Sequence, residues 1–258
     1  MRTNCVVVLA TLIALLTARA GALAAELTIF ATGSMADPLA HLGEEFTAVT
    51  GHTLHFSLGT TGAVLTRIRA GETGDVLVIS AEAAATLETD GTLAAGTRTP
   101  VASSLFGVVV KAGTARPDVS TPEALKLTVL RAKTIAYPDP VTAAVSGAYI
   151  ESVFGQLGIA AEARSKASLK PMGYLVGEAV ANGEAELGLS FISEFMANDE
   201  LEAVLFPAAL QKPQLYSAGV FAGTPSPDAA RAFIAFVTSD AAREQLRAAG
   251  VEPATPAR

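Results

Sequence analysis

Ser57-Leu58-Gly59-Thr60-Thr61-Gly62 is the stretch that decides the fold. It follows an alternating segment at 53–56 that is typical of a strand, and it precedes residues 63–70, where apolar side chains recur at helical spacing. The first amides of a helix lack internal partners and carry a partial positive charge, so such a turn can hold an anion. Serine and threonine are also favoured as N-caps of any helix. Taken alone, the turn therefore favours a simple cap over a ligand site.

The same strand, small-residue turn and helix occur at two other places in the chain. Residues 26–30 run into a turn that contains Ser34, and residues 134–137 run into a turn that contains Ser146. The carboxyl ends of parallel strands meet at one edge of a sheet, so the hydroxyls of these turns are expected to converge. A neutral donor to a charged acceptor contributes roughly 1.5–3 kcal/mol. The three turns, which contain Ser34, Thr60-Thr61 and Ser146, together favour a site for a fully ionised oxyanion.

The order of strands and helices predicts an α/β protein with two lobes. Each lobe is expected to be a mostly parallel sheet flanked by helices, with the ligand cleft between the lobes. The alternation restarts after residue 104, which assigns residues 25–103 plus 218–258 to lobe 1 and residues 104–217 to lobe 2. Residues 104–111 are predicted to be one strand, and the tail after Gly250 is predicted to be frayed.

Residues 1–24 have the pattern of a cleavable signal peptide. Arg2 is the positive region, residues 6–16 are apolar, and Ala22-Leu23-Ala24 is a cleavage sequence. The single cysteine, Cys5, lies inside this segment, so the mature chain has no disulfide. The segment predicts export, and the periplasm is the expected compartment.

Charge and motifs exclude several classes of function. The formal net charge is −7, and removal of Arg2 and Arg19 with the signal peptide takes it to −9, which argues against a nucleic-acid partner. The chain has no Gly-x-Ser-x-Gly, no phosphate-loop motif and no Gly-x-Gly-x-x-Gly, and its three histidines fit no standard metal spacing. No metal, cofactor or catalytic residue is assigned.

Across nearly the whole mature chain, the sequence resembles the periplasmic molybdate-binding proteins of ABC importers. The segments that carry the resemblance are residues 29–35, Thr60-Thr61, residues 68–76, Ser146-Gly147 and residues 183–188. The resemblance implies a binding fold that closes on a tetrahedral oxyanion. It also implies that the protein is a monomer and that its partner is an ABC importer. It implies that Ser34 and Thr61 are hydroxyl ligands and that Ser146 and Gly173 stand where backbone N–H donors are expected. Phe191 falls where the family has a tyrosine whose phenol binds the anion.

This departure leaves the ligand open among molybdate, tungstate and a small organic polyacid. Aconitate isomerase, a bacterial enzyme, is similar to the same family, so an enzyme that shifts a proton in a small polycarboxylate is the alternative. Such an enzyme needs a general base, for which Glu194, Tyr174, Lys170 and the histidines are candidates. A tricarboxylate would also be expected to attract Arg98 or Lys170, whereas molybdate sites usually do without a cation. A third hypothesis is an extracytoplasmic adhesion or sensory domain on this fold.

Overall fold

The structure of the protein is a computed structural model that describes residues 24–142 and 145–255. The predicted signal peptide lies outside these residues, apart from Ala24. In the described part of the chain, no helix has both the length and the apolar character needed to cross a membrane.

Eleven strands and nine helices make up the described chain. The strands are β1 (Glu26–Thr32), β2 (Thr53–Gly59), β3 (Val76–Ser80), β4 (Thr99–Ser104), β5 (Phe106–Lys111), β6 (Ile135–Pro138), β7 (Ala167–Lys170), β8 (Leu187–Phe191), β9 (Leu201–Leu205), β10 (Gln214–Val220) and β11 (Val251–Pro253). The helices are α1 (Ala36–Thr50), α2 (Thr61–Arg69), α3 (Ala81–Thr89), α4 (Pro122–Arg131), α5 (Val145–Gln156), α6 (Ala160–Ser165), α7 (Tyr174–Ala181), α8 (Pro227–Val237) and α9 (Asp240–Ala248). Single 3-10 turns follow β1 (Gly33–Met35), β6 (Pro140–Thr142) and β8 (Ile192–Glu194), and another spans Ala208–Leu210.

The first lobe is built on a six-stranded sheet in the order β11-β4-β10-β3-β1-β2. β1 pairs in parallel with both β2 and β3, and the register sets Thr32 opposite Gly59. The turns after β1 and β2 therefore leave the sheet side by side. The apolar faces of α1 and α8 bury Leu39, Phe46 and Phe233 against this sheet, and burial of such side chains fixes the helices that begin at these turns.

The second lobe is built on a five-stranded sheet in the order β7-β6-β8-β5-β9. β6 pairs in parallel with β7 and β8, so their carboxyl ends share one edge. The two-lobed α/β prediction is confirmed. Within it each sheet is mixed rather than mostly parallel, because β10 and β11 in the first sheet and β5 and β9 in the second are paired antiparallel.

Two local predictions are wrong. Residues 104–111 are two strands rather than one, because the chain changes sheets at Leu105, between β4 and β5. The tail after Gly250 is not frayed throughout, since Val251 pairs with Ser104 as part of β11. The lobe limits remain a prediction, and β10 runs across the expected limit at 217/218 while lying wholly in the first sheet.

Candidate functional site

A cavity of about 40 Å³ lies between the lobes at the carboxyl ends of the parallel strands. Its first-lobe wall consists of Thr32, Gly33, Ser34, Thr60, Thr61, Gln214 and Tyr216. Its second-lobe wall consists of Val145, Ser146, Met172, Gly173, Phe191 and Glu194. The structure therefore brings to one cavity all six residues that the sequence analysis selected: Ser34, Thr60, Thr61, Ser146, Gly173 and Phe191. That these residues bind a ligand stays a prediction.

Buried hydroxyls form the floor of the first-lobe wall. Ser34 follows β1, and its Oγ lies 2.7 Å from the hydroxyl of Tyr216 and 3.3 Å from Oγ1 of Thr32. Tyr216 is held in place by β10, where it pairs with Ser80 of β3. Burial raises the pKa of Tyr216 well above its usual range, so the phenol stays neutral and keeps its proton. The phenol can therefore act as a hydrogen-bond donor at neutral pH.

The turn between β2 and α2 serves both as a helix cap and as a wall of the cavity. Thr60 is the N-cap, and its Oγ1 accepts a hydrogen bond from the amide of Ala63 at 3.2 Å. Its hydroxyl hydrogen is left available for another acceptor. Thr61 is the first helical residue, where backbone amides have no partner within the helix. Ser57 does not line the cavity, and its Oγ instead accepts from the Arg67 guanidinium at 2.5 Å.

The second-lobe wall depends on two glycines for close approach. A Cβ on Gly147 would lie 2.1 Å from the carbonyl oxygen of Pro138, so glycine lets the helix α5 press against the end of β6 and bring Ser146 to the cavity. A Cβ on Gly173 would lie 1.8 Å from Oε2 of Glu194, so the α-carbon of Gly173 packs directly on that carboxyl group. Gly173 also precedes α7, whose first amides have no partner within the helix.

Glu194 brings a carboxyl group into this otherwise neutral wall. Ser190 donates a hydrogen bond to Oε2 of Glu194 from the end of β8. Burial raises the pKa of Glu194 to about 7, and the nearby Asp37 adds to the rise, while hydrogen bonds from Ser190 and Phe191 oppose it. The side chain keeps some accessible surface, as expected for a group that faces a cavity while protein atoms surround it. Near neutral pH the group is poised between its acid and its carboxylate forms.

Among the described residues that line the cavity there is no lysine or arginine. The two cations that a polycarboxylate site was expected to use lie elsewhere. Lys170 pairs with Glu184 at 2.6 Å, and Arg98 pairs with Glu88 at 2.9 Å. Any anion in the cavity would be held by dipoles and hydrogen bonds rather than by a counter-charge.

Sequence reasoning missed Tyr216, and it named Glu194 only as one of several candidate bases. Phe191, at the position of the family's tyrosine, packs against Phe106 with ring centroids 4.4 Å apart. The cavity nevertheless has a phenol, which Tyr216 supplies from the first-lobe sheet. No local pattern could have shown this, because it depends on where β10 inserts.

A larger cavity, of about 390 Å³, lies beside α1, α9 and Met196. Its lining includes Asp37, Glu44 and Glu45, and His41 stands among them. Such a wall repels anions, so it does not compete with the smaller cavity for an anionic ligand. Within residues 24–142 and 145–255, no cluster of histidine, cysteine, aspartate and glutamate has the geometry to hold a metal ion.

Two α/β lobes with a small polar cavity between them, at the carboxyl ends of strands from both sheets, define a two-lobed solute-binding protein. The family model described as "Bacterial extracellular solute-binding protein" matches residues 27–252. The chain belongs to this family.

Individual relatives and solved structures to which the chain is similar carry different names. An aconitate isomerase from Pseudomonas sp. is 30% identical over 234 residues, covering 88% of this chain and 87% of the enzyme. The periplasmic molybdate-binding protein of Azotobacter vinelandii superposes with a TM-score of 0.73 at 21% identity, covering 90% of this chain and all of that one. The sulfate-binding protein SubI of Mycobacterium tuberculosis superposes with a TM-score of 0.68 at 19% identity, covering 90% of this chain and 88% of that one. At these identities the two structures establish the fold alone.

Proposed function

We propose that this protein is a periplasmic binding protein that captures a small oxyanion and delivers it to an ABC importer. Molybdate and tungstate are the proposed ligands. One observation carries the proposal: hydroxyl-bearing residues and residues at helix starts line a cavity of about 40 Å³ from both lobes, with no lysine or arginine among its described residues. A dianion without a counter-charge needs many hydrogen-bond donors. The cavity offers them from both sides at once.

The size and the donor number of the cavity support a small ion. A volume of this size holds roughly three water-sized spheres, which suits one tetrahedral ion or one carboxylate group. If the hydroxyls of Ser34, Thr61 and Tyr216 each donate to the anion, they contribute roughly 1.5–3 kcal/mol apiece. Amides at the starts of α2 and α7 add to this. Micromolar binding requires about 8 kcal/mol after the cost of association, so these amides must supply the part that the hydroxyls do not.

A second candidate function is the isomerisation of a small unsaturated polycarboxylate, and Glu194 is the observation that favours it. A general base works best with a pKa near the ambient pH, and the pKa of Glu194 is about 7. Its carboxylate would take a proton from a C–H bond next to a substrate carboxylate. It would then return a proton to another carbon of the same conjugated chain, so no co-reactant is needed. The similarity to an aconitate isomerase points the same way.

A thermal-shift series on the mature chain tests the first candidate. Molybdate, tungstate, sulfate, phosphate, citrate and the two aconitates are added at millimolar concentration, because a ligand of the native state raises the midpoint by mass action. We expect molybdate and tungstate to raise it. Thr61→Val should reduce the shift, while Thr89→Val, a control at an exposed hydroxyl bonded within its own helix α3, should not. If neither molybdate nor tungstate raises the midpoint, the first candidate is refuted.

Proton NMR of cis-aconitate mixed with the protein tests the second candidate. Conversion to the trans isomer, lost in Glu194→Gln and kept in Glu178→Gln, would support the enzyme. Glu178 is an exposed carboxylate on α7 outside the cavity lining, which makes it a suitable control. If cis-aconitate is not converted while molybdate still binds, the isomerase is refuted and anion binding is the function.

A further inference from the structure

Glu194 is an unusual component of a site whose other polar side chains are neutral. An ionised carboxylate in the wall of a cavity of about 40 Å³ would repel any anion that enters, because little water fits between the two charges. The carboxyl group cannot turn away easily, since Gly173 packs on one side of it and Ser190 holds Oε2 from another. The group and the ligand are therefore forced to share the same small space.

We propose that Glu194 makes the site take up its anion together with one proton, which the carboxyl group and a ligand oxygen then share in a hydrogen bond. The inference rests on the proposed function, because it concerns the same cavity and the same class of ligand. The proton comes from solvent when the free carboxylate is ionised. In the complex the protonated carboxyl is one more neutral donor, and the repulsion is gone.

The charged surroundings of Glu194 support the uptake of a proton rather than its loss. The negative charge of Asp37, at the start of α1, disfavours the ionised form of the carboxyl group, and the neighbouring phenol of Tyr216 on β10 stays neutral. The 3-10 turn Gly33–Met35 that packs against Glu194 has no titratable side chain. No described cation lines the cavity to stabilise a carboxylate there.

The strands β5 and β9 also pack on the 3-10 turn of Glu194, and their charged residues are engaged elsewhere. Lys111 of β5 donates to the carbonyl oxygen of Ala181, and Glu202 of β9 pairs with Arg116. Neither contributes to the shift of the Glu194 pKa. Anion binding then adds a further negative charge beside the group, which raises its affinity for a proton again.

The same carboxyl group sets a specificity rule for the ligand. A protonated Glu194 donates to an oxyanion that is fully ionised, while an ionised Glu194 accepts from an oxyanion that still carries a proton. Both arrangements hold one proton between the two partners, so the complex tolerates both kinds of ion below pH 7. Above pH 7 the site should prefer an anion that brings its own proton, such as hydrogenphosphate, over one that does not, such as sulfate.

The number of protons taken up on binding is measured by isothermal titration calorimetry of the mature chain. The titration is repeated in two buffers of different ionisation enthalpy, neither of them phosphate. With molybdate and with trans-aconitate as probes, we expect an uptake of about 0.9 proton at pH 8 and about 0.1 at pH 6, as follows for a single group with a pKa of about 7. The dissociation constant should rise roughly tenfold from pH 6 to pH 8. Glu194→Gln, which keeps the size and a donor, should bind with no proton uptake and no such pH dependence. Glu178→Gln should behave as the wild type.

Three results would overturn the inference. Binding at pH 8 without proton uptake would show that the carboxylate does not face the anion. Proton uptake that persists in Glu194→Gln would assign the proton to another group. If neither probe binds at either pH, the proposed function fails and this inference falls with it, whereas binding without uptake refutes the inference alone.

Discussion

Replacement of Tyr216 by phenylalanine separates the stability of the first-lobe wall from its affinity for an anion. Tyr216 is 2% exposed, and its hydroxyl lies 2.7 Å from Oγ of Ser34. Tyr216→Phe removes this oxygen and leaves the ring in place between β3 and β4. Ser34 keeps Thr32 as a neighbour at 3.3 Å, so its hydroxyl is not left entirely without a partner.

The loss of one buried hydrogen bond between neutral groups is expected to lower the free energy of unfolding by about 1 kcal/mol. The effect on binding is larger, because the phenol and the Ser34 hydroxyl act as a donor pair. When the anion binds, both hydroxyl hydrogens can rotate toward it, so removal of the phenol deletes one donor to a charged acceptor, a loss of roughly 1.5–3 kcal/mol. The dissociation constant should therefore rise by about 10- to 150-fold.

Urea unfolding and calorimetric titration with molybdate measure the two quantities. Tyr149→Phe is the matched control, because that phenol donates to the carbonyl oxygen of Leu210 at 3.1 Å and does not line the cavity. It should lose similar stability with its affinity unchanged. Equal affinity of Tyr216→Phe and the wild type, or an equal loss in both variants, would refute the assignment of Tyr216 to the site.

Two further predictions concern Glu194 and its neighbour. The pKa of Glu194 rises from 4.5 to about 7 on folding, so the protonated carboxyl favours the folded state below pH 4.5, and this contribution of about 3 kcal/mol is lost as the pH rises to 7. The free energy of unfolding in urea should therefore fall across this range in the wild type and not in Glu194→Gln. The same pH dependence in both proteins would contradict the burial of the charge. Gly173→Ala places a Cβ 1.8 Å from Oε2 of Glu194 and should lower the free energy of unfolding by roughly 1–3 kcal/mol. Gly155→Ala, in open space on α5, should not lower it. Equal thermal midpoints for the two variants would contradict the contact.

Local pattern and one topological rule sufficed to predict the convergence of Ser34 with Thr60 and Thr61. Each lies in a turn between a strand and a helix, and β1 and β2 pair in parallel, so the two turns leave the sheet at neighbouring positions. Ser146 follows the same logic in the second sheet. Gly173 and Phe191 required a family resemblance, because nothing in their own neighbourhoods marks a ligand site.

The rest of the site depends on long-range pairing that no local period contains. β10 follows the second lobe in the chain, yet it inserts antiparallel between β3 and β4 of the first, and only this pairing brings Tyr216 to Ser34. Similarly, Glu194 reads as an ordinary first-turn acid in the sequence. Its perturbed pKa follows from burial against Gly173 and from the proximity of Asp37, which the fold alone creates.

The most direct test of the account is calorimetric titration of the mature chain and of the double variant Ser34→Ala, Thr61→Val with molybdate at pH 6. The account predicts one site per chain with micromolar or tighter affinity, and at least a hundredfold weaker binding when the two hydroxyl donors, worth roughly 1.5 kcal/mol or more each, are removed. A double variant that binds as tightly as the wild type would contradict the claim that these turns hold the anion. So would the absence of saturable binding by molybdate to the wild-type chain.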